Sequence, residues 1–489
     1  MAATRPDALA APLTQMRYSW RMSLGAHLVW LPLVAACSVT TAAGSGNESS
    51  TQEPAGAPAR RSPRVIAEIE AANAGLSARD RASKYCKMAA GPLPFYRGTN
   101  HLFWSALAGD ARLDVFGGPR TRIWVQGDLH TQNYGAFQDD DGTVIYDLDD
   151  FDEAVIANYQ WDVWRMAVSV ALAAGGDGID ALVDAFSESY LDTLADYAGN
   201  NDERSTSFTR RNTDGPLRDF LAQVERAGSR AQLLDAWTRQ EGGARVFDLA
   251  LDDLEPVAPA IAAAVSAAMP AYIATTGGKL RTIPGYFTIK GIARRLDAGL
   301  GSLGVPRYYV LIEGESADVD DDRILDLKRQ GTPAAHPYID SAERALTDAA
   351  AATPAERTIT AFRALSRDAD DHLGWLALAD GTYSARERSP HKKTFPTGSL
   401  NRGKRFRRMA EQWGAVLATA HARADEDYRG GIIDYSFDDD VHARTDGRHE
   451  DFRALVRDVV RWYLPRVHAD YRDFADHVSA NGLCPRRRS

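Results

Sequence analysis

The polar residues with the strongest chemical signals in this chain lie beside short strand-like runs, although most of the chain has a helical pattern. Apolar residues recur at helical spacing in six segments, 161–174, 178–197, 256–276, 357–378, 406–424 and 452–478. Runs rich in Ile, Val and Tyr predict strands at 122–126, 143–150, 308–313 and 323–328. The sequence therefore predicts a helix-rich α+β fold with two separate groups of strands.

Composition excludes several classes of protein. The 489 residues include 67 acidic and 57 basic ones, for a formal net charge of −10. This balance argues against a nucleic-acid binder, which usually carries a basic footprint. The three cysteines are too few for a disulfide framework or a multi-cysteine zinc or iron–sulfur site.

The amino-terminal segment has the pattern of an export signal. Arg17 and Arg21 precede an uncharged apolar run, residues 22–36, which is shorter than the roughly 20 residues of a membrane span. The run ends in Val-Ala-Ala-Cys, which resembles a bacterial lipobox and makes Cys37 the predicted lipidation site. The alternatives are a plain signal cleaved near Ala43 and an uncleaved anchor.

These features predict the domain organisation and the location. Residues 1–37 are the signal, residues 38–62 form a disordered tether rich in Ser, Thr, Gly and Pro, and residues 63–489 form a single domain. The expected location is the bacterial cell envelope, with a lipid anchor in the membrane, or else the periplasm or medium. In an oxidising compartment Cys86 and Cys484 either pair or remain two free thiols.

The first strand-rich patch places carboxylates in a loop and at a strand end. Gly127, Asp128, His130 and Asn133 follow the first strand. A turn at 139–142 then leads into a strand that delivers Asp147, Asp149 and Asp150. Carboxylate and amide oxygens suit magnesium that carries a phosphate, and a loop carboxylate can orient or deprotonate a hydroxyl.

The second patch combines glycines with a lysine. Gly299, Gly301 and Gly304 form G-x-G-x-x-G, and a strand follows at once instead of the helix that a dinucleotide-binding fold requires. A second strand ends in Lys328. A glycine hairpin lets backbone N–H groups approach phosphate oxygens, and the strand lysine can reach the same phosphates. The alternative is an ordinary hairpin with a surface lysine.

An ordered series of motifs over roughly residues 81–428 resembles domain-of-unknown-function family 2252. The motifs are PFYRG, GDLHTQNYG, DLDDFDEA, WDVWRMAVS, GLGSLGVPRYYVL, LDLKR and LATAHARAD. The resemblance implies a two-lobed fold similar to protein kinases and aminoglycoside phosphotransferases, with ATP and Mg²⁺ as cofactors.

The resemblance also implies residue roles. Asp128 matches the catalytic-loop aspartate and Asn133 a metal ligand. Asp150 matches the second metal ligand, with Asp147 as the competing assignment. Lys328 and the three glycines, Gly299, Gly301 and Gly304, match the phosphate-binding elements.

The motif order departs from that of ordinary kinases. Here the glycines and Lys328 follow the catalytic loop, so the resemblance requires a permuted order of the two lobes, with one site assembled in three dimensions. The helix glutamate that normally pairs with the lysine is unassigned, and Glu343 and Glu356 are the candidates.

Basic residues outside these motifs have weaker signals. Arg97 in PFYRG is either a phosphate or substrate contact or a structural ion pair. A denser basic segment is either close to the cleft or a solvated face; it contains Arg386, Arg388, His391, Lys392 and Lys393. His421 is expected to be a packed or a capping residue rather than a base.

The function that these features predict is an ATP- and magnesium-dependent phosphotransferase that acts on a hydroxyl of an unidentified small-molecule or protein acceptor. The alternative is a catalytically inactive, kinase-like ligand-binding or scaffold lipoprotein. A two-metal phosphoesterase that starts at Gly127-Asp128 is disfavoured, because no further His and Asp ligands follow at suitable spacing.

Overall fold

The computed structural model describes residues 62–176, 178–297, 299–367, 370–400, 403–428 and 431–484. These residues belong to one compact unit, Pro58–Ser489. Cys37, the predicted export signal and almost all of the predicted tether lie outside the described residues. Within the described ranges, no helix is both long and apolar enough to cross a membrane.

About half of the described chain is helical. The helices are α1 Ser62–Ala72, α2 Ala78–Met88, α3 Pro92–Gly98, α4 Asn100–Leu107, α5 Leu113–Phe116, α6 Gln160–Ala174, α7 Ile179–Tyr197, α8 Gly215–Ala227, α9 Arg230–Trp237, α10 Pro259–Thr275, α11 Ser341–Ala350, α12 Pro354–Leu365, α13 Lys404–Arg423, α14 Phe437–Thr445 and α15 His449–Ala480.

Thirteen short strands form several small sheets in the described residues. The strands are β1 Arg122–Val125, β2 Tyr134–Gln138, β3 Val144–Leu148, β4 Val155–Asn158, β5 Thr238–Glu241, β6 Ala244–Phe247, β7 Leu254–Pro256, β8 Ile289–Arg295, β9 Arg307–Ile312, β10 Arg323–Arg329, β11 Gly374–Leu378, β12 Gly381–Glu387 and β13 Lys393–Thr394. The largest sheet has the order β11-β12-β10-β9-β8-β7, and β2 lies between β13 and β3 in another. The helix-rich α+β class is confirmed.

One predicted helix is wrong in its second half. The segment 357–378 leaves the helix after Leu365, and Gly374–Leu378 forms strand β11, which pairs with β12. The buried positions of β11 are Gly374 and Leu376, two residues apart. Two buried positions are too few to establish a strand period from sequence alone, and pairing with β12 makes this segment a strand.

The second strand group is larger than the sequence predicted. Strand β8 was not predicted, because its sequence IKGIARR shows little alternation of apolar and polar residues. In the structure this strand is only partly buried. It pairs with β9 in antiparallel fashion, from Ile289 opposite Ile312 to Arg294 opposite Tyr308. The glycine-rich segment is therefore the connection between two neighbouring strands, which is the hairpin context that phosphate-binding glycines require.

Separate apolar clusters support the two groups of strands. The largest cluster surrounds Trp104, Trp164 and Trp413 and includes the residues of β1 to β4. The six-stranded sheet has a cluster on each face, one containing Tyr272 and Val310 and the other containing Trp237. The first strand group is thus packed in the helical body and the second in its own sheet.

A disulfide joins the two ends of the described chain. Cys86 in α2 pairs with Cys484 after α15, with 5.3 Å between their Cα atoms. Closing so long a loop removes conformational entropy from the unfolded chain, and disulfides typically contribute about 2–4 kcal/mol to stability. The alternatives for these cysteines were a disulfide and two free thiols, and the structure contains the disulfide.

Candidate functional site

A cleft of about 460 Å³ lies where the two strand groups face each other. It is lined by the loop after β1, the residues after β3, the β8–β9 connection and the end of β10. Six of the residues predicted from the sequence line it: Arg97, Asp128, Asn133, Asp150, Gly301 and Lys328. Asp147, Gly299 and Gly304 are not among its lining residues.

The loop that carries Asp128 is held by hydrogen bonds to a buried carboxylate. The backbone N–H groups of Gln126 and Gly127 donate to Asp162, at 2.6 and 3.0 Å. His421 lies 3.3 Å from the same carboxylate and is fully buried, which confirms that it is a packed histidine. Gly127 has φ +82°, and a Cβ there would lie 2.1 Å from the Glu153 carbonyl oxygen, so only glycine fits.

Asp128 forms a buried ion pair with an arginine that the sequence analysis missed. Arg165 in α6 donates from Nε (3.0 Å) and Nη2 to Oδ1 of Asp128. The guanidinium lies over the rings of both Tyr96 and Phe103, 4.3 and 5.1 Å from their centroids. Burial raises the pKa of Asp128 to about 7, although Arg165 opposes that shift. The available signal was an arginine three residues after Asp162 in an otherwise apolar helix.

Asn133 closes the same loop. Its Nδ2 donates to the backbone oxygen of Asp128 at 3.0 Å, and its own backbone oxygen accepts the N–H of Asp149 at 3.1 Å. No described residue donates to the side-chain oxygen of Asn133. That oxygen and the carboxylate of Asp150, which lines the same cleft, are hard donors of the kind that Mg²⁺ prefers.

Asp150 and Lys328 connect the two strand groups across the cleft. Lys328 Nζ lies 4.0 Å from Asp150 Oδ1, and it also forms an ion pair with Asp152. Partial desolvation opposes ionisation of Asp150, but Lys328 and the nearby Arg386 and Lys392 outweigh it and hold its pKa at about 2. Burial lowers the pKa of Lys328. Asp150 keeps a 41 % exposed side chain, so its charge faces the cleft.

Asp147 lies outside this group. Its carboxylate pairs with Arg423 at 2.8 Å, and both side chains are buried. Its Oδ1 also accepts the N–H of Leu148. Burial raises the pKa of Asp147 even though Arg423 opposes the shift. Of the two competing metal assignments, only Asp150 lies in the cleft.

The three glycines have different surroundings. Gly301 lines the cleft, and a Cβ there would meet no atom within 4 Å. Gly304 has φ +84°, and a Cβ there would lie 2.9 Å from the Leu76 side chain, so it allows the segment to pack beside α2. Gly299 has φ +76° and serves the turn. Only Gly301 is therefore positioned to contact a ligand in the cleft.

Neither helix glutamate proposed as the partner of Lys328 reaches it. Glu343 accepts the N–H groups of Asn158 and Asp340 at 2.8 and 3.0 Å. Glu356 accepts the N–H of Ala352 at 2.9 Å. Both carboxylates accept backbone N–H groups at the starts of their helices, so the prediction that one of them pairs with Lys328 is wrong. The carboxylate that forms an ion pair with Lys328 is that of Asp152.

Arg97 also belongs to the cleft. Its Nε lies 3.2 Å from His130 Nε2, and Nη1 donates to Gln132, so these hydrogen bonds go to the loop after β1 and not to a carboxylate. Burial lowers its pKa, although Asp128 and Asp150 oppose the shift. Among the candidates for Arg97, the structural ion pair is therefore disfavoured.

The basic segment after β12 divides in two. Arg386 donates to the backbone oxygen of Asp149 at 2.8 Å, and Lys392 lies 3.5 Å from the Asp149 carboxylate. These two are close to the cleft acids. Arg388 instead stacks on Trp237, 4.6 Å from the ring centroid. Of the other two residues of this segment, His391 is buried and Lys393 is exposed in β13.

Comparison with known proteins identifies the family of this chain but no individual relative. No curated protein and no solved structure matches the chain. A family described as an uncharacterized protein conserved in bacteria matches residues 78–477, which extends the predicted coverage at its carboxyl end. The chain therefore belongs to this bacterial family, domain-of-unknown-function family 2252.

Proposed function

We propose that this protein is a phosphotransferase that uses ATP and Mg²⁺ and acts on a hydroxyl of a small-molecule or protein acceptor. One observation carries the proposal: Asp128, Asn133, Asp150, Gly301 and Lys328 line a single cleft, although two widely separated parts of the chain supply them. A scaffold would have no physical need to bring these residue types together. Phosphoryl transfer does need them, because its catalysis is mostly positioning and charge neutralisation.

The proposal includes a kinase-like, two-lobed fold with a permuted order of lobes. The helical body would be the lobe that carries Asp128 and Asp150. The six-stranded sheet would be the lobe that carries the glycine hairpin and Lys328. The contact between Lys328 and Asp150 supports this arrangement, since it joins the two groups of motifs despite their reversed order.

The residues have defined roles in the proposed reaction. Asp150 and Asn133 would hold Mg²⁺, which neutralises charge on the phosphates when it is bound. Lys328 and the backbone N–H groups near Gly301 would hold the phosphate oxygens. The acceptor oxygen forms a bond to the terminal phosphorus, the bond to the bridging oxygen of ADP breaks, and the hydroxyl proton passes to Asp128.

Asp128 suits the role of proton acceptor. Both hydrogen bonds from Arg165 go to Oδ1, and no described residue donates to Oδ2. Its pKa of about 7 lies near neutral pH, where a general base is most effective. Oδ2 is therefore the atom that would receive the proton.

Binding measurements on full-length protein test the proposal. Titration calorimetry with ATP and Mg²⁺ is expected to show binding that Asp150→Ala and Lys328→Ala each weaken by at least about tenfold, or about 1.4 kcal/mol. Asp141→Ala is the matched control, because Asp141 is exposed in the turn of the same β2–β3 hairpin. Affinity that is unchanged in both site variants would reject the site.

A second candidate function, ATP binding without transfer, is favoured by one observation. The Arg165 ion pair lowers the basicity of Asp128, and in a pure binding site it would simply neutralise a buried carboxylate. Turnover separates the two candidates. Release of ADP that depends on an added acceptor and is lost in Asp128→Asn supports the transferase, whereas binding without ADP release supports the binding protein.

We also propose that the protein acts in the cell envelope, anchored through a lipid on Cys37. The Cys86–Cys484 disulfide supports export, because disulfides persist mainly in oxidising compartments. Cell fractionation is expected to find the protein in membranes and to find Cys37→Ser released from them. Membrane association that is unchanged in Cys37→Ser would reject the lipid anchor.

A further inference from the structure

The cleft contains a second buried lysine that neither the motifs nor the proposed chemistry uses. Lys84 lies on α2 and is 9 % exposed. Its Nζ donates to the backbone oxygen of Gly301 at 3.3 Å, and it forms no ion pair with a described carboxylate. An ammonium group has three donors, so this single long hydrogen bond leaves most of its capacity unused.

A buried ammonium group without a counter-ion is costly. Burying an isolated charge disfavours the folded state unless it is paired or deprotonated, and burial lowers the pKa of Lys84. Glu153 and Asp128 are the acids whose charges act most on Lys84, but neither forms an ion pair with it. Glu153 accepts the N–H of Ala334 at 2.6 Å, and Asp128 pairs with Arg165. An anionic ligand would give Lys84 the direct ion-pair partner that these two acids do not.

Other groups at the same end of the cleft also lack partners. His101 lines the cleft, and its buried Nε2 has no hydrogen-bond partner among the described residues. The side-chain oxygen of Asn100, another lining residue, is buried and likewise without a described partner, but as an acceptor it would not bind an anion. Buried polar atoms in folded proteins are normally satisfied, so the unpartnered nitrogen of His101, whose ring is close enough for the charge of Lys84 to lower its pKa, is consistent with a polar ligand here.

We propose that Lys84 completes an oxyanion-binding site between the glycine segment and the Asp128 loop, and that this site takes phosphate oxygens. The backbone N–H of Gly301 and a ring N–H of His101 would be the further donors. Two ligands carry the required chemistry, the terminal phosphate of the nucleotide and an anionic group on the acceptor. Only the first rests on the proposed function, since the second requires no nucleotide.

The experiment compares two lysines of the same helix. Lys84→Met removes the buried ammonium, and Lys87→Met removes an exposed one three residues away. Full-length wild type and both variants are titrated with inorganic phosphate, with ADP and Mg²⁺, and with ATP and Mg²⁺. Lys84→Met is expected to weaken at least one probe by about tenfold or more, while Lys87→Met leaves every affinity within about twofold of wild type.

The pattern of losses distinguishes the two ligands. ATP binding that weakens while ADP binding does not assigns the site to the terminal phosphate. Weaker binding of inorganic phosphate with unchanged ATP and ADP binding assigns it to an acceptor anion. If wild type binds phosphate through Lys84 but binds no nucleotide, the proposed function fails and the oxyanion site stands. The site is rejected if wild type binds none of the probes or if Lys84→Met changes none of them.

A purely structural role for Lys84 makes a different prediction. If Lys84 only held Gly301 in place, its removal would lower the melting temperature of the ligand-free protein, and Lys84→Arg would fail to restore binding. The oxyanion site predicts a ligand-free melting temperature that is unchanged or higher, because an unpaired buried charge is removed. It also predicts that Lys84→Arg retains binding within about tenfold, since arginine keeps the positive charge.

Discussion

Asp128 and Asp150 are carboxylates in the same cleft, but their surroundings shift their pKa values in opposite directions. Asp128 is 13 % exposed, and burial raises its pKa to about 7 despite the Arg165 ion pair. Asp150 is 41 % exposed, and the surrounding cations hold its pKa at about 2 although partial desolvation opposes them. The environment, and not the residue type, therefore makes one suited to accept a proton and the other suited to remain charged beside a cation.

The two carboxylates also differ in which part of the chain supplies their basic partner. Arg165 comes from α6, which follows Asp128 closely in the chain and is packed in the helical core. Lys328 comes from β10 in the six-stranded sheet, far along the chain. The Asp128 site is therefore a property of one packed body, whereas the Asp150 site exists only when the sheet docks against that body.

The largest expected effect comes from breaking the Asp128 ion pair. Arg165→Met should lower the free energy of unfolding by about 3–5 kcal/mol, because it leaves a buried carboxylate without its partner. Chemical denaturation measures the change. In the double variant Arg165→Met/Asp128→Asn most of the loss should be recovered, and a loss of the same size in both variants would contradict a specific role for the ion pair.

The next effect comes from the carboxylate that supports the Asp128 loop. Asp162→Asn should lower the free energy of unfolding by about 2–3 kcal/mol, because two backbone N–H groups lose a charged acceptor. It should also abolish turnover while leaving ATP affinity within about twofold of wild type, since Asp150 and Lys328 are not touched. Calorimetry of ATP binding checks the second part, and an equal loss of binding and turnover would show that the two sides of the cleft are coupled.

The most gradual expected effect is on the pH dependence of stability, because it is spread over several pH units. The pKa of Asp128 is raised on folding, so the folded state binds more protons, and stability increases as pH falls from about 7 to about 4. One proton gives at most about 1.4 kcal/mol per pH unit. The pKa of Asp150 is lowered, so its contribution is lost as pH falls from about 4 towards 2.

Chemical denaturation of variants across this pH range tests whether Asp128 and Asp150 change the stability in opposite directions as the pH falls. Asp128→Asn should flatten the curve between about pH 7 and 4, and Asp150→Asn should flatten it only below about pH 4. The effect of Asp150 should be the smaller one, because its exposed carboxylate is screened by solvent. Changes in the same pH window for both variants would contradict the contrast between the two carboxylates.

Sequence reasoning identified most of the candidate residues but few of their supports. Asp128, Asn133 and Lys328 were recognised because loop, strand and motif context restrict what such residues do. Arg165 and Lys84 were not recognised as site residues, because an arginine or lysine on a helix is usually exposed and only burial distinguishes these two.

The same limit applies to the choice between similar residues. Asp147 and Asp150 are three residues apart on one strand and its extension, and the sequence left both open. Tertiary packing distinguishes the two residues, because Asp147 pairs with Arg423 in the interior and Asp150 faces the cleft. The glutamates Glu343 and Glu356 were plausible partners for Lys328 only until their backbone contacts were known.

The sequence by itself determined the helix-rich α+β class, the family, and the two strand groups that carry the candidate residues, because periodicity and short motifs depend on neighbours along the chain. Only the tertiary structure decided that the two groups share one cleft, that Asp150 rather than Asp147 lies in it, and that Cys86 pairs with Cys484. It also decided which charges are buried. Those outcomes depend on contacts between distant residues and on desolvation, and neither is a property of a local stretch of sequence.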